Sequence, residues 1–250
     1  MIKVRSTEEV ELMRESGRLV AGALDLAGRL IEPGVTTGRI DGEIEDYIRS
    51  NGATPEFKGF SGYPAATCVS VNEQVVHGIP GDRVLVSGDI VGIDVGVRKE
   101  GYVGDGARTF AVGDVSEGAL KLMRATSLAL DAGLAVVSVG VHLSDVSHAI
   151  QRVAEDAGFS IVRELAGHGV GTELHEPPEI PNYGPPGRGP VLEEGMTLAI
   201  EPMVNAGTAE VKTLEDGWTV VTADGSLSAH FEHSVAVTSN GADVLTVMTG

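Results

Sequence analysis

Residues 34–52 have a counterpart in residues 140–158, each stretch bounded by glycines, and this internal repeat constrains the fold more than any other feature of the chain. With a shift of 106 residues, Val35 meets Val141, Ile40 meets Val146, Ile44 meets Ile150, Tyr47 meets Val153 and Ile48 meets Ala154. One apolar stripe at helical spacing is thus written twice. Each copy follows a longer helical run. The first is predicted over residues 7–31, opened by Ser6 and Glu9 at capping-box spacing and ended by Pro33-Gly34; the second covers residues 120–137. Thr37 is predicted to cap the first short helix and Asn51-Gly52 to close it, while Ser144 opens its counterpart. Two unrelated amphipathic helices can share a short stripe, but a duplication into two related halves is the expectation here. β-branched segments accompany each helix pair, at 67–71, 84–86, 90–97 and 102–112, then at 196–204, 218–222 and 227–238, with Asp224-Gly225 as a hairpin turn. Helix pairs succeeded by antiparallel strands predict an α+β fold whose halves share a sheet and enclose a cleft. No low-complexity or charge-block linker separates the halves, so residues 1–250 are expected to form a single catalytic domain.

Charge narrows the ligands. A formal net charge of −18 repels phosphate backbones, which argues against a nucleic-acid ligand and suits the holding of cations. No run approaches the ~18 apolar residues of a membrane span, and the opening MIKVRSTEEVELM has acidic residues where an export signal needs an apolar core. A cytoplasmic protein is expected, and the single cysteine, Cys68, fits a reducing compartment.

The chemistry lies in carboxylates set among apolar residues. Strands 90–97 and 102–112 carry Asp94 and Asp105 and are joined near Lys99-Glu100-Gly101. Pairing the aspartates directly sets Val95 opposite Gly104 and Val97 opposite Tyr102, and turns both carboxylates to one side. Like charges facing one another cost free energy, so a divalent cation between them is the simplest attractor. A slip of one residue would instead leave two separate surface aspartates. Glu201 lies in the apolar run MTLAIEPMVN, where an unpaired carboxylate is costly to bury. Glu232 shares one face of LSAHFEHSVAVT with Ser228, His230 and Ser234, a face that solvent alone would also explain. His168 stands in GHGVG, whose glycines would let the backbone approach a ligand and leave the imidazole open to a cleft; alone, such a histidine is an ordinary loop residue. These glycines do not satisfy GxGxxG, so nucleotide binding is not indicated. His142 and His148 fall at solvated helix positions and receive no role.

Five runs in order, VSVNEQVVHGIP, IDVGVRKEGYVGD, GHGVG with His175-Glu176-Pro177-Pro178 after it, GMTLAIEPMVN and DGSLSAHFEHSVAVT, resemble the methionine aminopeptidases over nearly the whole chain. The resemblance implies a pita-bread fold of two pseudo-symmetric halves. It implies metal ligands at Asp94, Asp105, His168, Glu201 and Glu232, and substrate-contacting histidines at His77 and His175. It also implies an apolar methionine pocket, for which Tyr63, Cys68, Phe60 and Trp218 are candidates; Cys68 and Tyr63 match the family's pocket, although a buried thiol is also common as plain core. The chain departs from the pattern at Ser61, where many relatives have His, at Gly96 and Gly106 beside the metal aspartates, where threonine is frequent, at Val103 for His, and at His230 for Gln. Only 25 residues separate His175 from Glu201, too few for the helical insertion of the type II enzymes, so the chain looks like a short type I enzyme.

For mechanism, the resemblance implies a pair of divalent ions, Co, Mn, Fe or Zn, held without thiolates and supplying hydroxide at neutral pH. By the same resemblance Glu201 accepts the proton and passes it to the leaving amine, His175 stabilises the oxyanion and His77 contacts the scissile amide. The implied partners are N-termini of nascent polypeptides, with transient ribosome contact, no membrane, and a monomeric state. A proline-directed aminopeptidase or dipeptidase is the nearest rival, since such enzymes share the five-ligand site, and a non-catalytic binding protein is a second. A serine hydrolase is disfavoured because residues 59–63, GFSGY, lack the final glycine of the nucleophile elbow.

Overall fold

The computed structural model describes residues 1–248. Both predicted helix pairs form. α1 (Thr7–Leu30) is opened by Ser6, whose side chain accepts from Glu9 N–H while the Glu9 carboxylate accepts from Ser6 N–H, the reciprocal box expected from the sequence. α2 (Thr37–Ser50) is capped by Thr36 and not by Thr37: the Thr36 hydroxyl accepts from Arg39 N–H, and Thr37, already inside the helix, gives its hydroxyl to the Gly81 carbonyl. α3 (Glu117–Val136) and α4 (Leu143–Asp156) form the second pair, and α4 is capped by His142 with Asp145, two residues ahead of the predicted Ser144. Ile40, Ile44 and Ile48 are fully buried on one face of α2, as Val146, Ile150 and Ala154 are on α4. Burying an aliphatic side chain of this size contributes about 1.5–3 kcal/mol, so each stripe fixes its helix to the sheet beneath.

The repeat extends past the helices into the hydrogen bonding. Gly34 N–H donates to Leu85 O and Leu85 N–H to Val35 O; in the second half Gly140 N–H donates to Leu192 O and Leu192 N–H to Val141 O. Thr36 and His142 each form an isolated antiparallel bridge, to Val84 and Val191. Residues 84–86, predicted as a strand, therefore contribute only this bridge, with Val84 and Val86 exposed.

Two antiparallel sheets carry the halves. In the first, β2 (Ile90–Lys99) pairs along its whole length with β3 (Tyr102–Ala111), while its other edge takes β1 (Cys68–Val71) and the short Thr54–Pro55 segment. The second is ordered β8-β7-β6-β4-β5, from β4 (Ala166–Gly169), β5 (Glu176–Pro181), β6 (Thr197–Ile200), β7 (His233–Thr238) and β8 (Gly241–Val244). The α1/α2 face packs on β2, and the α3/α4 face packs on β6 and β7, giving each half its own apolar core. The Asp224-Gly225 segment is not a hairpin turn: Val220–Thr222 pairs with Val211–Thr213 and Gln74–Val76, not with Ser228–His230, and the Asp224 side chain instead accepts from Thr208 N–H and Ser226 N–H.

β3 and β7 meet edge to edge at the centre. Ala107 and Glu232 exchange both backbone hydrogen bonds, at 3.4 and 2.9 Å. On either side the Thr109 hydroxyl accepts from His230 N–H and donates to His230 O, and the Ser234 hydroxyl does the same with Asp105. Thr109 stands to His230 as Ser234 stands to Asp105, so a local two-fold axis passes between Ala107 and Glu232. The two related halves and the α+β architecture are as the sequence led us to expect.

Candidate active site

Asp94 and Asp105 lie on neighbouring strands, but their register differs from the expectation by two residues. Asp94 faces Ala107, and Gly96 faces Asp105, because Lys99 rather than Val97 pairs with Tyr102. The expected register leaves a two-residue turn at Lys99-Glu100; the turn observed is equally short but lies one residue further on, at Glu100 (φ 50°) and Gly101 (φ 86°), which both take left-handed backbone, the requirement of a two-residue hairpin. A slip of two preserves the face, so the carboxylates still point to one side as diagonal neighbours.

His168 is placed by β4, which is pinched between β5 and β6. The flanking glycines serve this packing and not a ligand: a Cβ on Gly167 would collide with Ala199 O, and one on Gly169 with Pro177 O. The imidazole is buried rather than open. Its Nδ1 lies 3.0 Å from Gly169 O and donates there, which leaves Nε2 as a lone pair facing Glu201 Oε1 at 3.4 Å and Asp105 Oδ2 at 3.8 Å. Glu201 and Glu232 stand where β6 and β7 break, one step past the Ile200–His233 pair. Pro202 cannot donate to a ladder, and the break turns both carboxylates into the cleft.

Four carboxylates thus converge with one imidazole. Donor atoms of Asp105, His168 and Glu232 lie within 4.8 Å of one another. Asp94 Oδ1, Asp105 Oδ1 and Glu232 Oε1 are buried with no hydrogen-bond partner, an arrangement that a bound cation satisfies and an empty pocket does not. Burial raises all four acids well above the ordinary carboxylate range, and mutual repulsion adds to it: Glu201 acts on Asp94, Asp94 on Asp105, Asp105 on Glu201, and Asp105, Glu201 and Asp94 on Glu232. Burial holds His168 down to about 4, with a smaller effect from His175, so it is neutral at pH 7, the form in which an imidazole can bind a metal. An oxygen-rich set with one imidazole fits a divalent transition metal.

A cavity of about 230 Å³ opens over these groups, and every residue proposed from the sequence lines it: Phe60, Tyr63, Cys68, His77, His175 and Trp218 together with Asp94, Asp105, His168, Glu201 and Glu232. Tyr63 packs edge-on to Trp218 at 5.1 Å, His77 stands over the same indole, and the His175 ring lies 4.3 Å from His168 and 5.3 Å from Phe60. Cys68 is buried against Asp94 in the sheet register, and burial pushes its thiol up, so it is apolar wall and not nucleophile. His77 takes left-handed backbone (φ 59°), a conformation uncommon outside glycine that collects at functional sites.

Phe57 and Leu174 also line the cavity and had no signal of their own in the sequence. The departures explain one of them. A Cβ at Gly96 would lie 2.5 Å from the Phe57 ring, so the ring occupies the space of the threonine side chain frequent in relatives. At Gly106 the Val20 side chain of α1 fills the space in the same way, 2.9 Å from where a Cβ would stand. His230 is buried and places Nε2 3.6 Å from Glu201 Oε2, beyond hydrogen-bond distance. Ser61 is exposed at the rim with φ 47°, and Val103 is buried with its N–H on Gly171 O.

The fold and the site together define a metal-dependent hydrolytic enzyme of the pita-bread class. Residues 11–239 match the model of metallopeptidase family M24, and the chain belongs to that family. It is 51% identical to the methionine aminopeptidase of Clostridium perfringens over 99% of this chain and 100% of the relative. It is 52% identical to methionine aminopeptidase 1 of Bacillus subtilis, over 98% and 99% of the two chains. Among solved structures, the methionine aminopeptidase of Thermotoga maritima superposes with a TM-score of 0.98 at 47% identity, covering 99% of this chain and 100% of that one. The prolidase from Pyrococcus furiosus shares the fold, with a TM-score of 0.79 at 23% identity, over 99% of this chain and 66% of its own.

Proposed function

We propose that this chain removes the initiator methionine from the N-terminus of new polypeptides, with a small residue preferred in second place. The observation that carries the reading is the pairing of four buried carboxylates, three of them with unsatisfied oxygens, and His168 with an apolar cavity of one side chain's dimensions. Curated relatives at about half identity over the whole chain bear the same activity in their names. Asp94, Asp105, His168, Glu201 and Glu232 would hold two divalent ions. When bound, these supply Lewis acidity that brings the pKa of water toward ~7.

The chain's own groups do the rest. Glu201 accepts a proton from the attacking water on a carboxylate oxygen and returns it to the leaving amine. His175, exposed at the mouth with its ring on His168, donates from a ring N–H to the developing oxyanion, and His77 contacts the scissile amide. Desolvation against the cavity wall, partial at His175 and stronger at His77 where His175 adds to it, keeps both imidazoles below their ordinary pKa and hence neutral at pH 7, able to donate without a formal charge. Phe57, Phe60, Tyr63, Cys68, Leu174 and Trp218 enclose an unbranched thioether. No helix among the described residues is long and apolar enough to cross a membrane. A single-domain monomer acting in the cytoplasm, with transient ribosome contact, completes the reading.

Rates on Met-Ala-Ser, Met-Lys-Ser, Leu-Ala-Ser and Ala-Pro-Ala peptides with added Mn²⁺ test it. Met-Ala-Ser should lead, and norleucine in place of Met should still be cleaved, since a methylene-scale difference discriminates by only ~1–3 kcal/mol. Faster cleavage of Ala-Pro-Ala would overturn the assignment in favour of a proline-directed enzyme.

A further inference from the structure

The residues ahead of α1 reach across the molecule to the loop that carries His175. Arg5 N–H donates to Gly195 O at 2.7 Å, which anchors this segment on the second half. The Arg5 side chain, 8% exposed, lies flat on Gly171, where a Cβ would collide with the guanidinium. Its Nη2 then donates to both oxygens of Glu176, at 2.6 and 2.5 Å. Glu176 is equally buried, and its Oε1 also accepts from Lys3 Nζ at 3.0 Å, from Thr172 N and Oγ1 at 3.1 Å each, and from Glu173 N at 3.2 Å. The turn from Thr172 to Glu176 is therefore wound around its own carboxylate, and the N-terminal segment supplies the opposing charge. On its other flank the turn is held by Arg98, which donates to Thr172 O at 2.7 Å, and by Val103 N–H on Gly171 O. Those two contacts grip backbone three or more residues away from His175. The Arg5 contact grips the side chain of the next residue.

Glu176 also pairs with Gly169 in the β4–β5 ladder, directly after His168. Its position thus fixes the backbone on both sides of the His168–His175 ring contact. A buried ion pair is weak evidence for net stability, because desolvating both charges costs about as much as their attraction returns. Orientation is the property that such a contact confers most effectively.

We propose that Arg5 is a positioning residue for the reaction: by holding Glu176 it sets the His175 ring at the point where the oxyanion develops. This rests on the role given to His175 above and extends it. An interaction realised only in the transition state is read in kcat and not in KM, and a displacement of about 1 Å originating far from the chemistry can cost up to ~10²-fold.

The experiment uses the full chain with Mn²⁺ and Met-Ala-Ser, in Arg5→Ala, Arg5→Lys, His175→Ala and the Arg5→Ala/His175→Ala double variant, all assayed well below their measured Tm. Arg5→Ala should lower kcat by about tenfold or more with KM within about twofold, and Arg5→Lys should recover most of that loss. The double variant should turn over no more slowly than His175→Ala, because the clamp then has nothing to position. Mn²⁺ affinity by titration calorimetry should be unchanged, since Arg5 touches no proposed ligand. An additive loss in the double variant overturns the proposal, as does a lowered Tm with intact kcat or a loss of Mn²⁺ affinity that matches the loss of rate. A wild-type kcat in His175→Ala removes the oxyanion role itself, which separates failure of that reading from failure of the clamp.

Discussion

The central hairpins of the two halves are copies that have diverged at their most consequential point. In the first half β2 and β3 pair without interruption from Ile90–Ala111 to Lys99–Tyr102 and close through Glu100-Gly101. In the second half the equivalent ladder is cut. β6 pairs with β7 up to Ile200–His233, pairing stops, and it resumes between Met203–Asn205 and Ser228–His230. Glu201 occupies the place of Asp94, and Glu232 the place of Ala107. Pro202 accounts for the cut on one strand, and the cut frees Glu201 and Glu232 to turn inward. The loop also differs. Where the first half has a tight turn, the second sends residues 206–227 outward, and this excursion returns Trp218 to the cavity wall, with Asp216 accepting from Trp218 N–H and Thr219 N–H. In the proposed roles, an intact ladder suits rigid ligands and a broken one suits a carboxylate that works as a base.

That contrast is sharpest at the Asp94 and Glu201 positions. Glu201→Gln retains shape but cannot take a proton, so kcat should fall by ~10²–10⁴-fold or more while the far-UV circular dichroism stays unchanged. Near-normal turnover would remove Glu201 from the role of base and leave the two halves chemically equivalent.

A second test asks whether cations join the halves. The four acids come two from each half, and their folded pKa values lie above the unfolded ones. Their contribution to stability is therefore fully present below the ordinary carboxylate range and is lost as pH rises through the raised values. His168 and His230, depressed to about 4 and about 3, act oppositely: their contribution is present above ~6.5 and lost as pH falls. Above about pH 7 the histidines no longer contribute and the acids dominate, with the raised Cys68 thiol adding in the same direction only near its ordinary pKa of ~8.5. The Tm of protein in chelator should fall from pH 7 to 9, and Mn²⁺ at ~1,000 times its Kd should restore about 4 kcal/mol. A chelated protein whose Tm is flat over that window would show that burial and mutual repulsion do not hold these acids protonated above neutral pH.

The smallest effect separates the two sides of the local axis. Thr109→Val and Ser234→Ala each strand one buried backbone N–H, on His230 and Asp105 respectively, at about 1–3 kcal/mol apiece in chemical denaturation. Only Ser234→Ala should also weaken Mn²⁺ binding, because Asp105 is a proposed ligand and His230 is not. Equal losses of metal affinity in both variants would contradict the asymmetry.

How far the sequence could be read depends on which interactions are local. The helix pairs were legible because their stripes, caps and terminal glycines lie within a few residues of one another. The repeat was visible there at a shift of 106 and then faded, since the relation widens at the strands and residues 206–227 have no counterpart in the first half. The aspartate pair was placed on the correct face in the wrong register, because Glu100 adopts a left-handed turn that its type does not announce. The five proposed ligands and the proposed pocket residues rest on family resemblance, and the fold brings them to one cavity. Phe57, Leu174 and the Arg5–Glu176 clamp were not, as each depends on which distant backbone happens to lie against it.

The reciprocal contacts across the β3–β7 seam have a consequence for the order of folding. The bonds from Thr109 to His230 and from Asp105 to Ser234 join residues 121 and 129 apart in sequence. Closing loops of that length is entropically costly before it is rewarded, so contacts of such separation form late, after each half has collapsed on its own helix pair. The proposed ligand set is divided across this seam, and the cavity comes into being only when it closes. A molecule halted with one half folded has no partial activity to express. Recovery of peptidase activity in a refolding experiment should therefore lag behind recovery of helical circular dichroism, with the interval between them reporting closure of the seam.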